Sequence, residues 1–131
     1  MYRAREKQMS IYDYLPPYHG ELCNANRWVR LADAIDWDGF EKADSALFAP
    51  GGKVALPARV ALGCRIIQLH YAASDREVVA LVQESPYLQY FLGFESFTDA
   101  VPFSSRTVAR FRARIPDKAV RPAVRLLRSF Q

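Results

Sequence analysis

The sequence is poor in the residues that build covalent or metal-bound scaffolds, with two cysteines, Cys23 and Cys64, and two histidines, His19 and His70, in 131 residues. The cysteines form no CxxC pair, and a chain of this length can bury enough apolar surface to fold without staples, which argues against a disulfide framework. These side chains also fail as a zinc set. His19 and Cys23 fall in a segment broken by proline and glycine, while Cys64 and His70 stand about 240° apart on a helical wheel, so the pairs do not converge. No metal and no cofactor are expected. Long apolar runs are missing too: nothing approaches the ~20 residues that cross a bilayer, and the N-terminus, MYRAREKQMS, is charged where a signal peptide would be apolar. Secretion and membrane spanning are therefore not expected.

Enzymatic signatures are equally scarce. Gly51-Gly52-Lys53 lacks the rest of a phosphate-binding loop. Asp33, Asp36 and Asp38 invite a paired-carboxylate reading, but caps and solvated turns explain them more simply. No convergent catalytic set is legible, and no catalytic residue is assigned.

What is present describes one globular domain: half of the residues are hydrophobic and 24% are charged. The net charge of +4 is unevenly placed. Residues 104–131 carry eight Arg or Lys against the single Asp117, whereas residues 74–99 carry five acids and only Arg76. A basic C-terminal end of this kind suits a polyanion, either nucleic acid or an acidic membrane surface, better than a neutral small substrate.

The pattern along the chain predicts an all-α domain. Residues 1–25, with Leu15-Pro16-Pro17 and His19-Gly20, read as an extended N-terminal arm. Asn26 caps a helix through Trp28, Leu31 and Ile35, and Asp36 or Asp38 restarts a short one through Phe40 and Leu47 before Pro50-Gly51-Gly52 breaks the chain. Pro57 suits a helix start, and Ala58–Tyr71 is apolar nearly all round, so this helix should be central, with Leu62, Ile66 and Leu69 buried. Ser74-Asp75-Arg76-Glu77 has the capping-box form, with Val78, Leu81 and Val82 following as a core side. Ser85-Pro86 starts a short helix, Tyr87–Leu92, which Gly93 stops in the left-handed conformation. Residues 94–103 read as a loop, and 119–130 as a basic amphipathic helix, with Val120, Val124 and Leu127 against Arg121, Arg125 and Arg128.

The segment SSRTVARFRARI, residues 104–115, separates its faces most clearly. Val108, Phe111 and Ile115 fall within about 60° of one another, and Arg106, Arg110 and Arg114 lie opposite, beside the small Ala109 and Ala113. A groove reader needs a slim helix with long, planar donors, and this side offers both. The candidate DNA-contacting residues are Ser105, Arg106, Thr107, Arg110, Arg112 and Arg114. A standard helix-turn-helix joins its helices by three or four residues, whereas Gly93–Phe103 separates this helix from the one before, so the motif is non-standard.

Together, NRWVRLADAIDW at 26–37, ALPARVALGCRIIQLHYAASDREVVALVQESPYLQYFLGF at 55–94 and SSRTVARFRARI at 104–115 resemble the N-terminal domain of InsH-like insertion-sequence DDE transposases. The start of the arm, YRAREKQMS, is similar too, and the likeness spans roughly residues 1–116. The resemblance implies a helical module that recognises the terminal inverted repeats of a mobile element, ahead of an RNase-H-like domain with three metal-binding carboxylates. The expected organisation is an arm over 1–25, a DNA-binding domain with a helix-turn-helix-like C-terminal part over 26–116, and a basic amphipathic helix over 117–131, without the catalytic domain. The expected partners are double-stranded DNA and transposase or a second copy of the chain, in the cytoplasm with the nucleoid. The rival reading is a dimerisation or regulatory module built on Tyr87, Tyr90 and Phe91 as exposed aromatics.

Overall fold

The computed structural model describes residues 22–43 and 56–130. In them the chain is all-α, as the sequence predicts: α1 (Arg27–Ala34), α2 (Trp37–Ala43), α3 (Ala58–Tyr71), α4 (Asp75–Glu84), α5 (Pro86–Phe91), α6 (Ser105–Arg114) and α7 (Asp117–Ser129). The expected arm up to residue 21, the stretch to Leu47 and the Pro50-Gly51-Gly52 break lie outside the described residues.

The helix boundaries follow local chemistry. Asn26 accepts the amide of Trp28 at 2.8 Å at the start of α1, and Asp36 accepts that of Gly39 at 3.1 Å in the first turn of α2. Both halves of the capping box form at α4: the Ser74 hydroxyl accepts the Glu77 amide at 3.1 Å and the Glu77 carboxylate accepts the Ser74 amide at 2.7 Å. Ser85 closes α4 and also caps α5, taking the Leu88 amide at 3.2 Å. Gly93 ends α5 at φ 91°, as its position predicts. α3 ends differently, on Ala72 at φ 52°, where the Ala73 amide reaches back to the carbonyl of Gln68 at 3.0 Å. An alanine therefore occupies a left-handed position that glycine normally fills.

The layers form around α3, which is buried without interruption from Val60 to Gln68. α2, α4, α6 and α7 pack against it, while α1 packs on α5 and α7, and α4 on α5 and α6. Leu62, Ile66 and Ile67 meet Val78 and Val82 from α4, Val108 from α6, Ile115, and Val120, Val124 and Leu127 from α7 in one core. α7 thus contributes Val120, Val124 and Leu127 to the same core as the helices before it. Leu69 and Leu81 stand at its margin, half-buried where fuller burial was expected. Close approach of α3 to the end of α5 needs Gly63, because a Cβ there would stand 2.4 Å from the Leu92 side chain.

The aromatic segment of α5 corrects one expectation. Phe91 is fully buried, with ring centroids 4.9 Å from Trp28 and 5.4 Å from Trp37, and Tyr90 is 8% exposed with its hydroxyl donating to Asp33 at 3.0 Å. Tyr87 is half-buried and its hydroxyl accepts the Cys23 amide at 3.0 Å. These rings hold α1, α2 and α5 together and do not form the exposed interface that the rival reading requires. The loop after α5 is tied down by Gln89, whose amide donates to the carbonyls of Val82 at 2.8 Å and Thr98 at 2.6 Å and accepts the Thr98 amide at 2.9 Å.

Candidate nucleic-acid interface

α6 lies against α3 and α4 and buries a narrow stripe, with Val108 and the following Ile115 inside and Phe111 half-buried. Arg106, Arg110 and Arg114 are exposed on the opposite side, and among the described residues none has an acidic partner. Ala113 is exposed and Ala109 half-buried beside them. Ser105 and Thr107 are half-buried in the first turn, with the Thr107 hydroxyl 3.5 Å from that of Ser104.

Arg112 is placed apart from the other candidates. Its guanidinium grips Asp75 of α4 with two bonds, Nε to Oδ1 at 3.0 Å and Nη2 to Oδ2 at 2.8 Å. On the wheel it falls about 40° from Val108 and about 120° from the nearest arginine of the exposed strip, Arg106, so geometry sends it toward α4. The Arg112 bonds, followed by one from Gln68, hold the Asp75 carboxyl down at about 2.

That ion pair ends a chain of polar side chains through the interior. Gln68 donates to Asp75 at 2.8 Å and to the Ala73 carbonyl at 3.1 Å, and accepts from Arg65 at 2.9 Å. Arg65, 3% exposed, also donates to the Ile115 carbonyl at 2.8 Å and pairs with Asp117 at the start of α7. A buried guanidinium is tolerable only when its donors are satisfied, and here they are shared among α3, the α6–α7 corner and α7. The network fixes the placement of α6 and α7 on α3.

α7 carries a second cationic side that the sequence reading noted but did not nominate. Lys118, Arg121 and Arg125 are exposed opposite Val120, Val124 and Leu127. Its far end is pinned: Arg128 donates to the His70 carbonyl at 3.1 Å, and Arg30 of α1 stacks over the Phe130 ring at 4.3 Å. Burial, with Arg27 and Arg128 nearby, holds His70 below the usual histidine range.

Among the described residues other chemistry finds no centre. Cys64 is fully buried, and burial pushes its thiol far up, beyond reach as a nucleophile or ligand. Among the described residues no three His, Cys, Asp or Glu side chains gather where they could hold a metal, and no helix is long and apolar enough to cross a membrane.

Comparison with known proteins gives these surfaces a context. No solved structure matches the chain. An uncharacterized protein, ORF8 in the nfe locus of Rhizobium meliloti, is 37% identical over 87 residues, which is 66% of this chain and 42% of that protein. The chain thus corresponds to less than half the length of this relative. A family model described as a transposase domain (DUF772) matches residues 11–114, from the arm to the last arginine of α6. α6 thus lies within the matched span, and the chain belongs to the DUF772 transposase-domain family.

Proposed function

We propose that this domain binds double-stranded DNA at the terminal inverted repeats of an insertion sequence, with α6 as the helix presented to the duplex. The observation that carries the reading is the strip of Arg106, Arg110 and Arg114, exposed and without acidic partners among the described residues, on a helix whose other side is held in the core. Membership of a transposase-domain family makes DNA the fitting polyanion. Ser105 and Thr107, at the α6 N-terminus, flank the strip as further contacts. Arg112 acts differently: its bonds to Asp75 set the angle of α6 on α4, so it is a positioning residue. The proposal assigns binding, and no catalytic role, to this domain.

The test is a triple Arg106→Ala, Arg110→Ala, Arg114→Ala variant, checked for its helical circular-dichroism signal and assayed on an inverted-repeat duplex beside a scrambled one over a range of salt. Loss of phosphate contacts lowers affinity for both duplexes and reduces the slope of log K against log salt by about 0.9 per contact. Loss of a guanine-edge contact costs about 1–3 kcal/mol at one base position only. Unchanged binding at every salt concentration rejects α6 as the DNA face, and absence of binding by the native chain shifts preference to a dimerisation or regulatory role.

A further inference from the structure

We infer that the outer face of α7 is a second DNA-contact surface, one that grips phosphates without reading sequence, alongside α6. The inference rests on the DNA-binding reading above and assigns a part of the footprint that lies beyond the matched residues 11–114.

Three observations carry it. On the α7 wheel Lys118, Arg121 and Arg125 fall within about 60° of one another, and from Lys118 to Arg125 they span about 10 Å of helix axis, roughly three phosphates along one strand. The face is free of opposing charge from its own helix, because Asp117, the acid of α7, is committed to Arg65. The helix that carries them is held in place: its inner side is buried through Val120, Val124 and Leu127, and its two ends are fixed by Arg65 with Asp117 and by Arg128 with His70. A cation row on a docked helix loses less backbone freedom on binding than a flexible tail would.

The same face is unsuited to entering a groove. Pro122 is exposed inside the helix, about 40° from Lys118 on the wheel, and Leu126 is 40% exposed beside it. A proline ring and a leucine on the cationic side keep the helix backbone away from base edges, whereas Ala109 and Ala113 leave the corresponding side of α6 low. Within that difference α6 suits the groove and α7 the strand beside it.

The experiment compares the full chain with a Lys118→Gln, Arg121→Gln, Arg125→Gln variant on the inverted-repeat duplex and on a mixed-sequence duplex at several salt concentrations. Unchanged melting temperature serves as the folding control, and Arg121→Lys, Arg125→Lys as the charge-preserving one. The expected result is an equal loss of affinity for both duplexes and a slope reduced by about 2.7, so that a fourfold rise in salt weakens the variant about 40-fold less than the native chain. The charge-preserving variant keeps the native slope. An unchanged slope in the glutamine variant, with the α6 variant weakened, overturns the α7 assignment and leaves the α6 reading standing. Loss on the inverted repeat alone overturns the claim of sequence-independent contact. Duplex binding unchanged while binding to phosphatidylserine vesicles falls assigns the face to a lipid surface instead. If the native chain binds neither duplex, both readings fall together.

Discussion

Arginine serves opposite ends in α3 and α6. In α3, Arg59 donates to the carbonyls of Phe91 and Tyr90 at 2.9 and 3.1 Å, and Arg65 holds Ile115, Gln68 and Asp117. In α6, Arg106, Arg110 and Arg114 face solvent. The same side chain satisfies stranded backbone acceptors in one helix and is left available for a polyanion in the other. Counting charges along the chain therefore locates a basic region, but only the partners of each guanidinium separate scaffold from interface.

The comparison breaks most directly through stability. Ile66→Ala in α3 empties a fully buried site and is expected to cost about 2–5 kcal/mol, whereas Arg110→Ala in α6 should stay within about 0.5 kcal/mol, both read by urea denaturation. A cost above 2 kcal/mol for Arg110→Ala would mean that the α6 strip belongs to the scaffold after all.

A smaller effect tests Arg112, the member of α6 that behaves like those of α3. Asp75 has its folded pKa lowered from 3.8 to about 2, so its pairing stabilises the fold fully above about pH 4 and is lost as pH falls through about 2. The melting-temperature gap between the native chain and Asp75→Asn should therefore be open at neutral pH and narrow steadily below about pH 4. A gap that stays constant down to pH 2 would remove the Arg112 pair from the stability of the fold.

The smallest expected effect has the opposite sign. Ala72 pays for a left-handed conformation that costs a non-glycine residue about 1–2 kcal/mol, while glycine loosens the unfolded chain by about 0.4–1 kcal/mol. Ala72→Gly should thus stabilise by about 0.5 kcal/mol, a rise of a few degrees in melting temperature. A drop would show that the Ala72 methyl contributes packing that outweighs the backbone relief.

The sequence made visible what depends on neighbours a few residues apart. The Ser74–Glu77 box, the Gly93 stop, the all-round apolar α3 and the two sides of α6 are local patterns, and each fixes an element without reference to the rest of the chain. The Arg112 position was legible in the same way, since the wheel sets it beside Val108, but grouping the α6 arginines together hid it. What escaped was long-range. An arginine in the middle of an apolar helix signals that a buried partner exists, yet nothing near Arg65 names Asp117, which is 52 residues away. Tyr90 and Phe91 were ambiguous for the same reason: a run of aromatics suits a surface or a core, and distant residues such as Trp28, Trp37 and Asp33 decide it here.

The partners of Arg65 also set an order of events during synthesis. The ribosome makes α3 well before Ile115 and Asp117, so until those residues emerge the guanidinium has no destination inside the protein and must remain hydrated. Closing α3 into a dry interior earlier would strand a charge, at a cost of several kcal/mol. Ile115 and Asp117 both follow α6, so a chain ending at Arg114 leaves the Arg65 guanidinium with Gln68 in place of its three partners. A nascent chain halted there should remain open to proteases and chaperones, and release of α7 should act as the latch that commits the whole domain to its native form.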